Sequence, residues 1–169
     1  MPWYVTFVKT GKEALVEKCI QKFFDRSVCS ALVPKKNLIE KRQGVKHQIT
    51  RVIFPGYVFV NIKMSYTYYY KFKFIPKFYY ILRTGECYYT EIGEHEIELI
   101  LRLLNGSDTV DLSKAFVLGS KIEIIDGPLK HNEGIIQKVN MHKNRATVLV
   151  DFMNTEVSVD LGLDFIWHS

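Results

Sequence analysis

The chain has 169 residues, of which 47% are hydrophobic and 14% aromatic, with a formal charge of +5; that suffices for one domain or two small ones. No apolar stretch approaches the roughly 20 residues that span a bilayer, and Met1-Pro2-Trp3-Tyr4 begins strand-like rather than as a signal peptide. Cys19, Cys29 and Cys87 form no C-x-x-C, which argues against a disulfide framework or a zinc site and fits a reducing, cytoplasmic setting. The charge is divided unevenly: residues 1–118 carry a net +7 and residues 119–169 a net −2. The split suggests two units, and the basic front part suits an acidic partner.

Trp3 to Val8 is a strand candidate. Thr10 and Glu13 then fit a capping box, and Ala14, Leu15, Cys19, Ile20, Phe23 and Phe24 recur at the three-to-four spacing of a helix face ending near Arg26. Val28 to Val33 is a short strand stopped by Pro34. Lys35 to Arg51 then holds six basic residues, one acidic residue and a central Gly44, with too few apolar residues for a core. It suggests a protruding hairpin or mobile loop, either simply solvated or touching nucleic-acid phosphate. Ile53 to Ile62 is the longest apolar run, rich in β-branched and aromatic residues, and is expected to form a strand buried on both faces. Pro55 belongs at its beginning, and Phe54 and Tyr57 at this corner are expected to be partly exposed. Ser65 can cap a Tyr-rich helix stopped by Pro76. Tyr79 to Arg83 is a further strand candidate that Cys87 to Tyr89 could extend. Gly93 to Leu104 presents Ile97, Ile100, Leu101 and Leu104 on one helix face. The order β-α-β-β-α-β-α suits an α+β sandwich with a largely antiparallel sheet.

A polar linker is expected from Asn105 to Ala115, and beyond Phe116 the texture is all-β. Strands are expected at 121–124, 134–139, 145–151, 156–160 and 165–167, separated by turn signals. Five short strands in so few residues suggest a small SH3-like barrel.

Motifs of catalysis are absent. There is no Walker loop, G-x-G-x-x-G, G-x-S-x-G or H-E-x-x-H, and the five His lie at no metal-ligand spacing. Glu91, Glu94, Glu96 and Glu98 cluster where a helix N-terminus favours acidic residues. Neither an enzyme nor a cofactor is expected.

Three separated motifs point one way: Trp3-Tyr4-Val5, Phe54-Pro55-Gly56-Tyr57-Val58, and Asp126-Gly127-Pro128-Leu129-Lys130 followed by Gly134. Together they resemble the NusG family of transcription elongation factors, and the Phe7-Val8-x-Thr10-Gly11-Lys12-Glu13 opening looks most like its LoaP antiterminator branch. The resemblance implies an NGN-type α+β domain over 1–104, a linker over 105–115 and a KOW SH3-like barrel over 116–169. It implies that the first domain binds the clamp helices of RNA polymerase through Phe54, Pro55 and Tyr57, with Trp3 and Tyr4 contributing. Aromatic anchors in a shallow apolar groove suit such a helical partner. For the LoaP branch it implies that the barrel binds a hairpin in nascent RNA. The barrel's bases concentrate near two turns, Lys130 and His131 in one and His142, Lys143 and Arg145 in the other, with Asn132, Asn140 and Asn144 adding neutral hydrogen-bonding groups; these turns could form one positive patch at a barrel end. Ordinary solvated turns are the alternative. Lys35, Lys36, Lys41, Arg42, Lys46 and Arg51 are candidates for touching upstream or non-template DNA. The expected state is a monomer with no membrane partner. Two other functions stay open: a housekeeping factor coupling polymerase to Rho or the ribosome, and a ribosome-associated KOW protein. Met153-Asn154 stands where general bacterial relatives carry an exposed Phe before Gly, which counts against the Rho and ribosome contacts.

Overall fold

The structure, a computed structural model, describes residues 1–167. It divides into two compact units, Met1–Val33 with Phe54–Ile97, and Pro34–Ile53 with the chain from Glu98 onward. The fold class is the expected one, an α+β region followed by an all-β region.

In the first unit, β1 (Trp3–Val8), β2 (Cys29–Leu32), β5 (Tyr57–Ile62) and β6 (Phe78–Ile81) form one antiparallel sheet in the order β2-β5-β1-β6. Because side chains alternate across a strand, the register places Tyr4, Thr6 and Val8 with Val58, Val60 and Ile62 on one face, all of them buried. α1 (Glu13–Phe23) packs on β2 and β5 and buries Val16 and Ile20, with Phe24 stacked on Phe72 of α2 (Tyr66–Phe72). The central strand is buried on both faces, as its β-branched run implied: Val58, Phe59 and Val60 have no exposed surface. Each such side chain contributes on the order of 1.5–3 kcal/mol by leaving water.

α2 begins as the sequence implied, with Ser65 Oγ accepting the Tyr68 amide at 3.2 Å. The start of α1 is different. Lys12 holds the N-cap position with no side-chain bond, and Glu13 reaches elsewhere. Its Oε1 accepts the Gly11 amide at 3.0 Å and the Gly56 amide at 2.7 Å. Glu13 is thus a buried brace between the helix start and the Pro55-Gly56 corner. Burial pushes its carboxyl up, but the amide bonds outweigh it and hold the group below the ordinary glutamate range. Glu13→Ala would leave a buried Gly56 N–H unsatisfied and should cost about 1–3 kcal/mol. Because the folded-state pKa lies below the ordinary value, the charged form's contribution is complete above the ordinary range. It is lost as pH falls through the folded value. Glu13→Gln keeps the acceptor and loses the charge, so its denaturation midpoint should trail wild type at neutral pH and converge on it in acid; a gap that persists in strong acid would contradict this account.

α3 (Glu94–Leu104) buries Ile97, Ile100, Leu103 and Leu104, while Leu101, assigned to the buried face from its spacing, is exposed. Cys87–Tyr89 forms no strand, and its rings pack against Tyr66 and Tyr69 instead.

In the second unit, β3 (Lys35–Arg42) and β4 (Val45–Val52) pair in full register about a two-residue turn at Gln43-Gly44, both with positive φ. That matches the primed turns favoured in hairpins. The segment is therefore a regular hairpin. It is also not simply protruding: Leu38 and Ile39 are buried, β3 packs on β12, and β3 pairs with β7 (Thr109–Val110). β7 and the start of β8 lie within the expected linker segment 105–115. The five-stranded sheet has the order β10-β11-β12-β8-β9, built from β8 (Ser113–Leu118), β9 (Lys121–Asp126), β10 (Ile136–Asn140), β11 (Arg145–Phe152) and β12 (Thr155–Trp167). The strands expected at 156–160 and 165–167 are one strand. Its first part pairs antiparallel with β11 and its last part parallel with β8. β8 was not foreseen as a strand of its own.

Candidate functional site

The second face of the first unit's sheet carries Trp3, Val5 and Phe7 on β1, with Asn61, Phe59 and Tyr57 directly opposite on β5. Val5 and Phe59 are buried, but the end of the face near Phe7 is not. Phe7 lies opposite Tyr57 on one side and Tyr80 on the other, with ring centroids 5.5 and 5.2 Å away. A register shift at Phe7/Val8 brings Tyr79 to the same ring at 5.3 Å. Bulges re-aim side chains in this way. Tyr79 and Tyr80 are 52% and 53% exposed, and Phe7 and Tyr57 are half-buried. The result is a cluster of four rings open to solvent on a rigid sheet.

The corner beneath it is tightly built. Gly56 has φ +89, and a Cβ there would sit 3.1 Å from Thr10 Oγ1 and 3.3 Å from the Phe7 ring. Gly56 O also accepts the Val8 amide at 2.8 Å. The glycine lets the Pro55 turn lie against β1 and fixes Tyr57 beside Phe7.

The five residues assigned to polymerase binding separate here. Pro55 is exposed, and Trp3 and Tyr57 are half-buried on the ring-bearing face. Phe54, expected to be partly exposed, is only 6% exposed and packs on Phe59 at 5.6 Å. Tyr4 points to the opposite face and is buried. Burial, then Glu91 and Tyr89, push its phenol up to about 12. Phe54 and Tyr4 thus support the surface from below. Phe7, Tyr79 and Tyr80 escaped the sequence reading. The alternation of Trp3, Val5 and Phe7 was a signal for Phe7, but the bulge that turns Tyr79 outward has none.

In the second unit the bases also separate. Lys35 pairs with Asp108 at 2.8 Å, and Lys36 Nζ donates to Asp160 O at 2.7 Å. Burial lowers the Lys36 pKa, and it is these two bonds to residues outside β3 and β4 that tie the hairpin down. Lys41, Arg42, Lys46 and Arg51 are exposed, with Lys41 opposite Lys46 and Arg42 bonded to Glu40 at 3.3 Å. The turns holding 130–132 and 142–145 flank opposite ends of β10, a five-residue strand spanning about 16 Å, so they do not form one patch at an end of that strand. Asn132 is used twice, donating to Pro128 O at 2.9 Å and accepting from Arg102 Nε at 2.9 Å. Lys130 Nζ donates to Ile124 O at 3.1 Å, and His131 is exposed. Asn144 is buried, with Nδ2 donating to Leu163 O at 3.2 Å. Arg145 Nη1 donates to Ile39 O at 2.7 Å and to Lys143 O at 3.0 Å. That guanidinium joins the 142–145 turn to the hairpin, so exposed His142 and Lys143 lie beside the strand that carries Lys41 and Arg42.

A sequence model of the family described as the transcription termination factor NusG matches residues 1–101. The chain belongs to the NusG family. The transcription termination/antitermination protein NusG of Pseudomonas aeruginosa is 27% identical over 165 residues, covering 94% of this chain and 93% of that protein. Its counterpart in Xylella fastidiosa strain Temecula1 is 27% identical over 182 residues, covering 99% and 98%. That of Chlamydia trachomatis is 28% identical, covering 94% and 89%. A solved structure of Thermotoga maritima NusG, 24% identical, covers 95% of this chain and 93% of that one with a TM-score of 0.59, in keeping with the NusG fold. The chain is thus a member of a family of transcription termination and antitermination factors. Among the described residues no group of three or more His, Cys, Asp or Glu could hold a metal ion, and no helix is long and apolar enough to cross a membrane.

Proposed function

We propose that this NusG-family chain is a processive antitermination factor of the LoaP type. Its NGN domain (1–104) docks on the clamp helices of RNA polymerase, and its KOW domain (116–169), reached through residues 105–115, captures a hairpin in nascent leader RNA. The observation that carries this reading is the open cluster of Phe7, Tyr57, Tyr79 and Tyr80. Rings held on a rigid sheet are anchors for a helical partner at low entropic cost. A factor bridging the polymerase cleft would restrain clamp opening without doing any chemistry of its own.

The RNA part of the proposal rests on the basic band that joins His142 and Lys143 to Lys41, Arg42 and Lys46. The same hairpin residues would also suit upstream or non-template DNA. Lys143→Ala with Lys46→Ala should weaken binding of hairpin RNA several-fold and flatten its salt dependence by about one unit of log–log slope for each phosphate left without its lysine. Unchanged affinity and slope would remove the band from the RNA interface. Arg145→Ala is no substitute, because it also cuts the tie to Ile39.

Transcription in vitro through a terminator placed downstream of a leader hairpin tests the whole reading. Readthrough that needs both the protein and the hairpin is expected. Hairpin-independent stimulation, with direct binding to Rho or to a small-subunit ribosomal protein, would identify a housekeeping factor instead. Met153 and Asn154 form the β11–β12 turn with positive φ at both residues, and they put no aromatic ring there for such partners.

A further inference from the structure

The first unit's sheet ends at β2. Among the described residues β2 pairs only with β5, so its other side is an open edge. Natural proteins usually guard such edges with charges or Pro on the strand itself. β2 is Cys29-Ser30-Ala31-Leu32 and carries neither. The charges lie on the adjacent helix instead. Lys18 and Lys22, one turn apart, and Arg26 just past the helix line a cleft of about 540 Å³ together with Ser30 and Ala31. Glu17 is the one carboxylate among the lining residues, against three cations.

A second observation comes from Gln21, which lines the same cleft. Its Oε1 is buried and accepts no hydrogen bond among the described residues. Such an acceptor costs free energy until a donor arrives. The four-ring cluster and the basic band use none of these residues.

We propose that this cleft takes an extended acidic segment of a partner protein, added to the edge of β2 as a fifth strand. Its carboxylates would face Lys18, Lys22 and Arg26, and Gln21, by turning its buried Oε1 toward the cleft, would accept an N–H of the segment. Main-chain pairing supplies affinity in strand addition, and alternate side chains supply specificity. The spacing fits: alternate residues of a strand stand about 6.6 Å apart, close to the roughly 5–6 Å between helix positions four apart. A nucleic acid could use the cations but has no peptide backbone to pair in register with β2.

The test uses the full-length protein and an acetylated, amidated heptapeptide of alternating glutamate and valine, with binding read by fluorescence anisotropy and amide shifts. The peptide should bind and shift Ser30, Ala31 and Gln21. Lys18→Glu with Lys22→Glu should weaken it at least about tenfold and leave polymerase binding unchanged, which separates this site from the proposed polymerase face. N-methylating alternate backbone amides should abolish binding in one of the two registers, and a lysine-valine peptide should not bind. Equal binding by both N-methylated peptides, equal affinity for a competing oligothymidylate, or no peptide binding up to millimolar concentration would each overturn the proposal.

Discussion

Tyr57→Ala with Tyr80→Ala should weaken binding to core RNA polymerase by about 100-fold while the protein stays folded. Both rings flank Phe7 at the open end of the sheet face. Truncating an aromatic hot spot commonly costs 2 kcal/mol or more, and neighbouring effects are not additive. A combined cost of about 2.7 kcal/mol corresponds to 100-fold. Tyr80 is mostly exposed and Tyr57 half-buried, so the thermal midpoint should fall only modestly and hairpin RNA binding should be retained. Titrating labelled protein with core polymerase reads the outcome, and wild-type affinity in the double variant would exclude this face from the interface. Phe54→Ala cannot serve the same purpose. Phe54 is buried on Phe59, and deleting a buried Phe costs about 3–5 kcal/mol of stability, so any weakening of binding would report unfolding.

Gly162→Ala should loosen the hairpin from the C-terminal sheet. A Cβ on Gly162 would collide with the Asn37 carbonyl oxygen and with Leu112 Cδ2. Backbone cannot yield as a flexible side chain can, and overpacking of this kind costs about 1–3 kcal/mol. Gly162 also lies opposite Arg145 in the β11–β12 register, so displacement there should break the Arg145 bond to Ile39 O. The expected result is a lower unfolding midpoint together with faster amide exchange at Leu38 and Ile39. Gly134→Ala is the control: its added Cβ meets nothing within 4 Å, and stability should change by less than about 1 kcal/mol. Wild-type melting and exchange in Gly162→Ala would mean that β3 does not rest on β12 in solution.

What the sequence revealed and what it hid follow from the range of the interactions. β5 and the existence of the two longer helices were legible because periodicity and composition are local signals, but the face of α1 was not: Ala14, Leu15 and Phe23, expected on its apolar face, are exposed, and Val16 is buried instead. Phe54 was misplaced because nothing near it in the chain tells that Phe59 and the folded sheet will cover it. Phe7 and Tyr80 could be grouped with Tyr57 only once the register was known, and Tyr79 joins them through a bulge. The hairpin's composition speaks of solvent, and most of β4 is indeed exposed. The cover over Leu38 and Ile39 comes from β12, more than a hundred residues later. Leu161-Gly162-Leu163 interrupts the alternation of β12 where it changes partner from β11 to β8, which is why one strand looked like two. Asn144 and Arg145 looked like free turn residues because a turn sequence does not show that its side chains will bond Leu163 and Ile39.

The ties that hold the hairpin also fix an order of events during synthesis. Lys35 meets Asp108 across 73 residues, Arg145 meets Ile39 across 106, and Lys36 meets Asp160 across 124. Residues 34–53 leave the ribosome early, yet Leu38 and Ile39 stay uncovered until the last strand has been made. The first unit's sheet can close once β6 has emerged. Contacts so distant in sequence slow folding, so the basic hairpin should settle only once β12 has been made, and a chain truncated before β12 should leave Leu38 and Ile39 without that cover.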